Sequence, residues 1–343
     1  MSEHRAHISE VPEWFFNNVE DIVSSSGFEI QKTDETLTIH APLGVVRMVK
    51  NGSGADITFR AASPAQLQLL TDLYAQRLSK MGLDKVVVWA PVDARAPLNQ
   101  TVARVMDKTR ISPNFMRLRL EADFAAFARP DAGLHFRLLL SDSAVAWPTL
   151  DERGVTQWPG GVGAWHRPPY TVRALAPNAD WIDVDIVLHE GGRVTNWCTN
   201  VELGAEIALH GPSGSTQPKA RWLGLVGDET ALPVIVRMVE DAPADVAGQA
   251  VILIRNIRDM QPVRTQSGID VKWETWGRQE PAEFIRALAP PAEDYHIFFA
   301  GERQHATQVR ALFKELGLAP SATKAASYWT ADPTVSAEGA VQV

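Results

Sequence analysis

The sequence predicts a multidomain protein of mixed α+β and α/β class: a small N-terminal α+β domain, an antiparallel six-stranded β-barrel and a C-terminal parallel-sheet α/β domain. Its length of 343 residues allows roughly two or three domains at about 150 residues each. Short alternating segments fill residues 101–215, which is typical of an antiparallel barrel. Strand and helix patterns alternate over residues 216–330, which indicates a parallel sheet with crossover helices.

Residues 1–92 are predicted to form an accessory α+β domain in the order helix, sheet, helix. Ser63 is expected to cap the second helix, with Pro64 in its first turn. Asn51–Gly54 has the composition of a hairpin turn. Residues 90–100 hold two prolines and no periodicity, so we interpret them as a linker. The periodicity predicts helices over 12–25 and 63–82 and strands over 36–40, 44–50 and 55–60.

Residues 101–215 are predicted to form the barrel, interrupted by a helical segment over 193–201. In one strand, Ile182, Val184 and Ile186 alternate with polar residues, so two different faces are expected. The predicted strands cover 115–120, 133–140, 170–176, 181–189 and 206–210.

Residues 216–330 are predicted to form the α/β domain. Ligands of such sheets bind beyond the carboxyl ends of the strands, so the segments 227–230 and 301–303 are candidate site positions. The small, polar residues 331–343 are expected to be a disordered tail. The predicted strands cover 222–227, 249–255, 269–276 and 295–300, and the predicted helices cover 229–240, 281–288 and 304–316.

Composition argues against several classes of protein. A net charge of −8 without a cluster of Lys and Arg disfavours a nucleic-acid binder. Apolar runs stay below the ~18 residues that a membrane helix needs, and the N-terminus has no apolar signal segment, so we expect a cytoplasmic protein without membrane insertion. One cysteine, Cys198, excludes an internal disulfide or a four-thiolate iron–sulfur cluster. No metal site is expected, and redox chemistry would need an organic cofactor.

Six segments in a fixed order carry the functional signal. They are Arg167-Pro168-Pro169-Tyr170-Thr171-Val172-Arg173, Asp185-Ile186-Val187-Leu188-His189, Thr195-Asn196-Trp197, Gly227-Asp228-Glu229-Thr230-Ala231-Leu232-Pro233, Ala300-Gly301-Glu302 and Tyr328-Trp329. The set resembles the siderophore-interacting proteins, which are FAD-binding ferric-siderophore reductases of the ferredoxin-reductase superfamily. The resemblance covers about residues 101–330, and the segment 227–233 is its most specific part. Residues 1 to about 90, including Ala41-Pro42-Leu43-Gly44, resemble a small bacterial domain family of unknown function that is sometimes fused to such reductases.

The resemblance implies that the barrel binds FAD. Tyr170 and Thr171 would face the flavin ring, and Arg167 would neutralise the pyrophosphate. The family places this arginine two residues before the tyrosine, where this chain has Pro168, so Arg173 is a possible substitute. The remaining implied FAD residues of the barrel are Val172, Asp185, Val187, His189, Val194, Thr195 and Trp197.

A helix beginning near Val194 offers backbone N–H groups to the FAD diphosphate, and Thr195 adds a hydroxyl. The resemblance puts His189 near the adenosine. A histidine at a strand end is otherwise typical of a solvated or capping residue.

The loop Gly227–Ala231 joins a strand to a helix. From the residues alone, Asp228 is expected to cap the helix, and the Glu229 carboxylate is expected to interact favourably with the positive, N-terminal end of the helix dipole. The resemblance implies instead that Gly227, Asp228, Glu229, Thr230 and Ala231 face the flavin, with Thr230 pointed at the flavin or the nicotinamide. It also implies that Tyr328 and Trp329 form an aromatic pair over the active site. Two carboxylates disfavour a dense phosphate clamp, so NADPH, NADH and reduced ferredoxin stay open as electron donors.

A ferric siderophore is usually anionic, so an acidic protein needs a local basic pocket to hold it. The candidates are Arg173 and Arg303, with Lys219 and Arg221 as further possibilities. Family members often follow the terminal aromatic pair with an arginine, but this chain has Thr330, which favours a less anionic substrate such as a hydroxamate. Electron transfer requires no protein acid or base, so no catalytic residue is assigned.

The expected function is FAD-dependent reduction of ferric siderophores, with release of Fe(II) for intracellular iron assimilation. One alternative is a ferric-siderophore binding protein without turnover. Another is a general flavin reductase that acts on acceptors without iron. The sequence does not distinguish the siderophore, the donor, the oligomeric state or the role of the N-terminal domain.

Overall fold

The computed structural model describes residues 2–12, 14–16, 19, 28–143, 146–277 and 279–331. Of the predicted helix over 12–25, the structure describes residues 12, 14–16 and 19, of which Phe15, Phe16 and Val19 are helical. The predicted tail lies outside the described residues except for residue 331.

The N-terminal part of the chain forms a six-stranded antiparallel sheet in the order β2-β3-β4-β5-β1-β6. Helix α1 packs on this sheet because its apolar stripe, including Leu67, Leu70 and Leu78, joins the same buried core as Ile57 and Phe59. The elements are β1 Ser2–Ile8, β2 Glu29–Lys32, β3 Thr36–Ala41, β4 Gly44–Asn51, β5 Gly54–Ala61, α1 Pro64–Lys80 and β6 Val87–Trp89.

The hairpin between β4 and β5 and the cap of α1 are confirmed, because the Ser63 hydroxyl accepts the Gln66 N–H at 3.2 Å. The predicted order of helix, sheet, helix is wrong, since the chain begins with β1, which pairs with β5 from end to end. Its buried positions are His4, Ala6 and Ile8, which is a weak apolar alternation for a strand. His4 is buried because its ring bonds Thr71 and the Ala90 carbonyl.

The middle of the chain is strand-rich. The elements are β7 Gln100–Ser112, β8 Phe115–Glu121, β9 His135–Leu139, β10 Thr149–Leu150, β11 Thr156–Gln157, β12 Pro169–Thr171, β13 Ala174–Leu175, β14 Trp181–Val187, α2 Arg193–Asn200 and β15 Glu206–Ser213. The predicted strand over 170–176 is divided into β12 and β13. β7 was not predicted, because only Ala103 and Val105 are buried along its 13 residues while Val102 and Met106 are exposed.

The last part of the chain forms a sheet of five parallel strands in the order β18-β17-β16-β19-β20, which confirms the predicted parallel sheet. Strand β20 was not predicted, because its small residues resemble a loop. The elements are β16 Trp222–Gly227, α3 Leu232–Glu240, β17 Ala247–Ile254, β18 Gly268–Thr275, α4 Pro281–Ala287, β19 Tyr295–Glu302, α5 Arg303–Glu315 and β20 Thr323–Trp329.

The chain divides into two compact units. The first unit comprises Met1–Val102, Phe136–Pro169 and Ile207–Ser213, and the second comprises Ala103–His135, Tyr170–Glu206 and Gly214–Val343. The first unit contains the N-terminal sheet, the hairpin β10–β11 and most of β9 and β15. In the second unit, β8 pairs antiparallel with β7 and β14, β14 pairs with β13, and the parallel sheet follows. A closed six-stranded barrel and the boundaries 1–92, 101–215 and 216–330 stay predictions.

Candidate functional site

The second unit contains every predicted cofactor residue except Arg167, which belongs to the first unit. Within the second unit, one apolar core includes Phe115 and Leu134 of the strand-rich region and Ala231 after β16. Val187 and Tyr328 pack against that core. The structure therefore brings residues of the β14, 227–231 and β20 motifs to one apolar core.

Asp228 holds the loop after β16 in place. It is only 1% exposed. Its Oδ1 accepts the N–H of Thr230 at 2.9 Å and the Thr230 hydroxyl at 2.5 Å. Its Oδ2 accepts the N–H of Glu302 at 3.1 Å and the indole N–H of Trp329 at 2.7 Å. One carboxylate therefore fixes Thr230, the end of β19 and the end of β20.

The predicted capping of α3 by Asp228 is wrong in detail. The helix begins at Leu232 with Ala231 as its N-cap, three residues later than predicted. Asp228 instead closes the turn before the helix, where the Ala231 N–H also bonds the Asp228 carbonyl at 2.9 Å.

Two glycines allow the close approach of the loop and the neighbouring strand. A Cβ at Gly301 would lie 2.6 Å from Asp228 Oδ2. A Cβ at Gly227 would lie 2.6 Å from the Ala231 Cβ and 2.7 Å from the Ala300 carbonyl oxygen. Any side chain at these positions would push the loop away from β19.

Glu229 is buried next to a cation. Its carboxylate lies 3.2 Å from Arg255 and accepts the indole N–H of Trp276 at 2.9 Å. Burial raises the pKa of Glu229, although Arg255 opposes that shift. The Arg255 guanidinium also lies 5.5 Å from the ring centre of Trp329. The positive charge of Arg255 therefore offsets one of the two negative charges of this loop, which weakens the electrostatic argument against a nicotinamide donor.

Tyr328 forms a buried pair with a residue that the sequence analysis did not single out. His135 Nε2 and the Tyr328 hydroxyl share a hydrogen bond of 2.8 Å, and the two rings meet edge to face. Burial, with smaller contributions from the charges of Lys324 and Arg237, lowers the pKa of His135 to about 4. Burial also raises the pKa of Tyr328. Both rings are therefore neutral at pH 7, and His135 fixes the direction of the tyrosine hydroxyl.

The start of α2 provides a compact backbone cradle. The Thr195 hydroxyl accepts the His189 N–H at 3.1 Å, and the Gly192 carbonyl accepts the first helical bond, from Asn196, at 2.9 Å. A Cβ at Gly192 would lie 2.6 Å from the His189 ring and 2.9 Å from the Thr195 hydroxyl. The main-chain N–H groups of Val194 and Thr195 have no backbone acceptor within the described part of the chain. Such a turn suits a diphosphate, so these residues fit FAD.

Burial increases along the strand that carries Tyr170 and Thr171, from exposed Pro169 through half-buried Tyr170 to buried Thr171. Burial raises the pKa of Tyr170, which lies near Cys198 of α2. Thr171 is buried, and the Val172 N–H donates to the Leu134 carbonyl at 2.9 Å. Tyr170 of this strand therefore lies near α2, and its contact with the flavin stays a prediction.

Arg173 and Asp185 are engaged in ion pairs within the protein. Arg173 bonds Glu240 of α3 at 2.7 and 3.2 Å, and Asp185 accepts from Arg117 at 2.7 and 2.8 Å. Arg237 of α3 also donates to the Val172 carbonyl at 2.7 Å. These bonds connect the strand region to α3, so neither Arg173 nor Asp185 presents a free charged group. Arg117 was missed because its pairing with Asp185 depends on the register of β8 and β14.

Arg167 is the one predicted cofactor residue that belongs to the first unit. Its guanidinium is 4.7 Å from the ring centre of Trp158, and its carbonyl accepts from Arg137 at 2.8 Å.

The remaining basic candidates do not form one pocket. Lys219 and Arg221 are exposed before β16, at the amino edge of the parallel sheet. Arg303 is exposed after β19, at the carboxyl edge. A strand of this length separates the two edges by about 20 Å. A single small ligand would not reach both groups.

Comparison with known proteins follows the same division of the chain. A family model described as siderophore-interacting protein matches residues 220–332, and one described as siderophore-interacting FAD-binding domain matches residues 104–216. Together they cover more than half of the chain. The fold, the candidate site and these two family matches define the class of protein, which is an FAD-dependent oxidoreductase. The chain belongs to the siderophore-interacting protein family, so the resemblance and the FAD cofactor are confirmed.

Relatives and solved structures agree with this assignment. The chain is 27% identical over 245 residues to the ferric vibriobactin reductase ViuB of Vibrio cholerae, covering 66% of this chain and 89% of ViuB. It is 27% identical over 243 residues to an NADPH-dependent ferric-chelate reductase of Escherichia coli, and the match covers 67% of this chain and 92% of the reductase. A siderophore utilization protein from T. fusca has a similar fold, with a TM-score of 0.59, 22% identity and coverage of 69% and 94%. The siderophore-interacting protein SipS from Aeromonas hydrophila also has a similar fold, with a TM-score of 0.56 and 23% identity. The match covers 68% of this chain and 99% of SipS.

The matches begin at residue 104, so the resemblance of the N-terminal region to a domain family of unknown function stays a prediction. Among the described residues, no helix combines the length and the apolar character needed to cross a membrane.

Proposed function

We propose that this protein reduces ferric siderophores, using FAD as its resident cofactor and NADPH or NADH as the electron donor, and releases Fe(II) for iron assimilation. The observation that supports the proposal most is the set of hydrogen bonds by which Asp228 holds Thr230, the end of β19 and Trp329 together. These groups lie at the carboxyl edge of the parallel sheet, where such sheets bind cofactors. When bound, FAD accepts two electrons together and passes them on singly.

Relatives support both the acceptor and the donor. One is named a ferric vibriobactin reductase, and another an NADPH-dependent ferric-chelate reductase. The ion pair of Glu229 with Arg255 supports a nicotinamide donor as well, because it offsets one of the two negative charges of the loop. Reduced ferredoxin is the second candidate donor, which the sequence leaves open.

Within this proposal the chain's own residues bind and orient. The turn at Gly192 and the Thr195 hydroxyl hold the diphosphate of FAD. Tyr170 and Thr171 contact the flavin ring, and Tyr328 is held in one orientation by His135. No residue needs to transfer a proton to the iron. Positioning is the main contribution of the protein.

Iron release follows from coordination chemistry. The hard oxygen donors of a siderophore bind Fe(III) more strongly than Fe(II), so one electron per iron weakens the complex. Arg303 is the better supported of the two predicted siderophore residues, because it is exposed while Arg173 is paired with Glu240. Thr330, in place of a family arginine, favours a less anionic siderophore such as a hydroxamate.

Anaerobic stopped-flow spectroscopy of the purified protein tests the donor. We expect a yellow protein whose flavin absorption is bleached faster by NADPH or NADH than by reduced ferredoxin. Adding a ferric hydroxamate with a ferrous chelator should then give coloured Fe(II) complex. Comparable turnover of quinones would favour a general flavin reductase. Tight siderophore binding without flavin reduction by any donor would favour a binding protein, and a colourless protein that takes up no FAD would contradict the proposal.

A further inference from the structure

A cavity of about 620 Å³ lies within the first unit. One wall comes from the N-terminal domain and includes α1 and β6, and the other comes from β9, β11, β15 and the segment 158–167. The two walls are fastened together, since Asp72 of α1 accepts both the N–H and the hydroxyl of Thr156, at 2.9 and 2.7 Å. Gln68 also donates to the Gly154 carbonyl at 3.0 Å. The N-terminal domain is therefore part of the cavity and not a separate appendage.

Two arginines place positive charge on the cavity wall formed by β9 and the segment 158–167. Arg137 and Arg167 both line it, and Arg137 donates to the Arg167 carbonyl at 2.8 Å. Neither guanidinium has a carboxylate within ion-pair distance among the residues that the structure describes. Burial and the charge of Arg137 lower the pKa of Arg167, which reflects this uncompensated pair.

The other charged groups of the cavity are mostly engaged elsewhere. Arg153 is bonded to Asp151 at 2.7 Å, and Asp72 is saturated by Thr156 and Gln68. Asp84 contributes one exposed carboxylate on the wall of the N-terminal domain. Burial lowers the pKa of His210 to about 4, so this wall histidine is neutral at pH 7. A small carboxylate anion suits this distribution better than a long polyanion.

A second observation also points to a ligand. Asn99 lines the cavity and is only 2% exposed, and its Oδ1 has no hydrogen-bond partner among the residues that the structure describes. Its backbone carbonyl accepts from Gly211, which fixes the residue beside the His210 wall. A buried acceptor without a partner costs about 1–3 kcal/mol. A hydroxyl or amide donor on a ligand would satisfy it.

We propose that this cavity binds a small organic anion that also carries a hydroxyl or amide donor. Its anionic group pairs with Arg137 and Arg167, whose forks match a carboxylate. Its donor reaches Asn99, and its carbon skeleton packs against Trp158. This site goes beyond the reductase activity and gives the N-terminal domain a role as one wall of a ligand pocket.

Calorimetric titration of the full-length, FAD-loaded protein tests the proposal with a matched pair of probes. Citrate has three carboxylates and a hydroxyl, whereas tricarballylate has the same carboxylates and no hydroxyl. We expect citrate to bind at least tenfold more tightly than tricarballylate, because only citrate satisfies Asn99. In Asn99→Leu this difference should disappear. Equal affinities for the two probes in the unmodified protein would overturn the proposal.

Charge variants provide the second part of the test. Arg137→Gln should weaken citrate binding at least tenfold. Arg47→Gln removes the same charge from the exposed face of β4, outside the cavity, and should leave binding unchanged. An equal loss in both variants would contradict a defined site, as would the absence of citrate binding. Since the readout is binding of a colourless anion, its failure is distinct from failure of the reductase activity.

Discussion

Asp228 is the residue on which the candidate site depends most. It accepts four hydrogen bonds from three segments, and a buried carboxylate is well suited to that task because it has acceptors only. In Asp228→Asn one acceptor becomes a donor that faces other donors. We expect a loss of about 2–3 kcal/mol in the free energy of unfolding, measured with urea. Asp270→Asn, at an exposed position of the same sheet, should change it by less than about 0.5 kcal/mol. Equal stabilities of the two variants would argue against the role given to Asp228.

The lowered pKa of His135 predicts how the stability of the protein depends on pH. Its pKa is about 4 in the folded protein, against about 6.5 for an unperturbed histidine. The unfolded chain therefore binds the extra proton first, so the stabilisation is complete above pH 6.5 and is lost as the pH falls towards 4. We expect the unfolding free energy of His135→Gln to fall less between pH 7 and pH 5 than that of the unmodified protein. Parallel pH profiles would contradict this assignment.

At the scale of residues, the sequence marked candidate positions but did not show the contacts between them. The motif 227–233 marked Asp228 and Thr230, but the bonds to Glu302 and Trp329 span 74 and 101 positions and leave no local pattern. His135 was not singled out for the same reason, since its partner is 193 residues away. Arg173 was assigned to a ligand because an arginine near an expected anion is a common signal, and its partner Glu240 lies on a later helix.

At the scale of elements, the approach of β19 to the loop after β16 makes a prediction. Gly301→Ala places a Cβ 2.6 Å from Asp228 Oδ2, so the loop must move. We expect a loss of about 1–3 kcal/mol in stability and a lower content of bound FAD. Gly268→Ala, in β18, is a matched control because its Cβ would meet only ordinary contacts, the nearest at 3.5 Å. Full retention of stability and flavin by Gly301→Ala would refute the close approach.

The start of α2 makes a second prediction, about cofactor affinity. Thr195→Val keeps the shape of the side chain and removes the hydroxyl assigned to the FAD diphosphate. We expect FAD to bind about tenfold more weakly, equivalent to about 1.4 kcal/mol, in a fluorescence titration of apoprotein. Thr199→Val is the control, because its hydroxyl bonds the Thr195 carbonyl one turn further along the helix. Unchanged affinity in Thr195→Val would remove this residue from the site.

Elements with strong periodicity were predictable, and elements with mixed composition were not. The three central strands of the parallel sheet, β17, β16 and β19, are largely buried on both faces and form apolar runs, so they were predicted close to their actual limits. β7 and β20 escaped prediction because partly exposed strands carry polar or small residues. β1 escaped because a buried histidine occupies a core position.

At the scale of the whole molecule, the sequence predicted three consecutive domains, whereas the compact units combine distant segments. The first unit joins the N-terminal domain to residues 136–169 and 207–213. Its link between Asp72 and Thr156 crosses 84 positions and leaves no local sequence pattern. The expected linker over 90–100 is irregular as predicted, yet its Arg95 carbonyl accepts from Leu150 at 2.8 Å. Linker composition therefore did not reveal that this segment is held in place.

The central claim is that electrons pass from bound flavin to a siderophore-held iron. The most direct measurement is a single turnover: the protein is reduced anaerobically by one equivalent of dithionite, mixed with a ferric hydroxamate, and followed by flavin absorption and a ferrous chelator. The account predicts that the flavin band returns while two Fe(II) form per FAD, because FAD carries two electrons and each iron accepts one. Flavin that stays reduced in the presence of the ferric complex, with no Fe(II) formed, would contradict it.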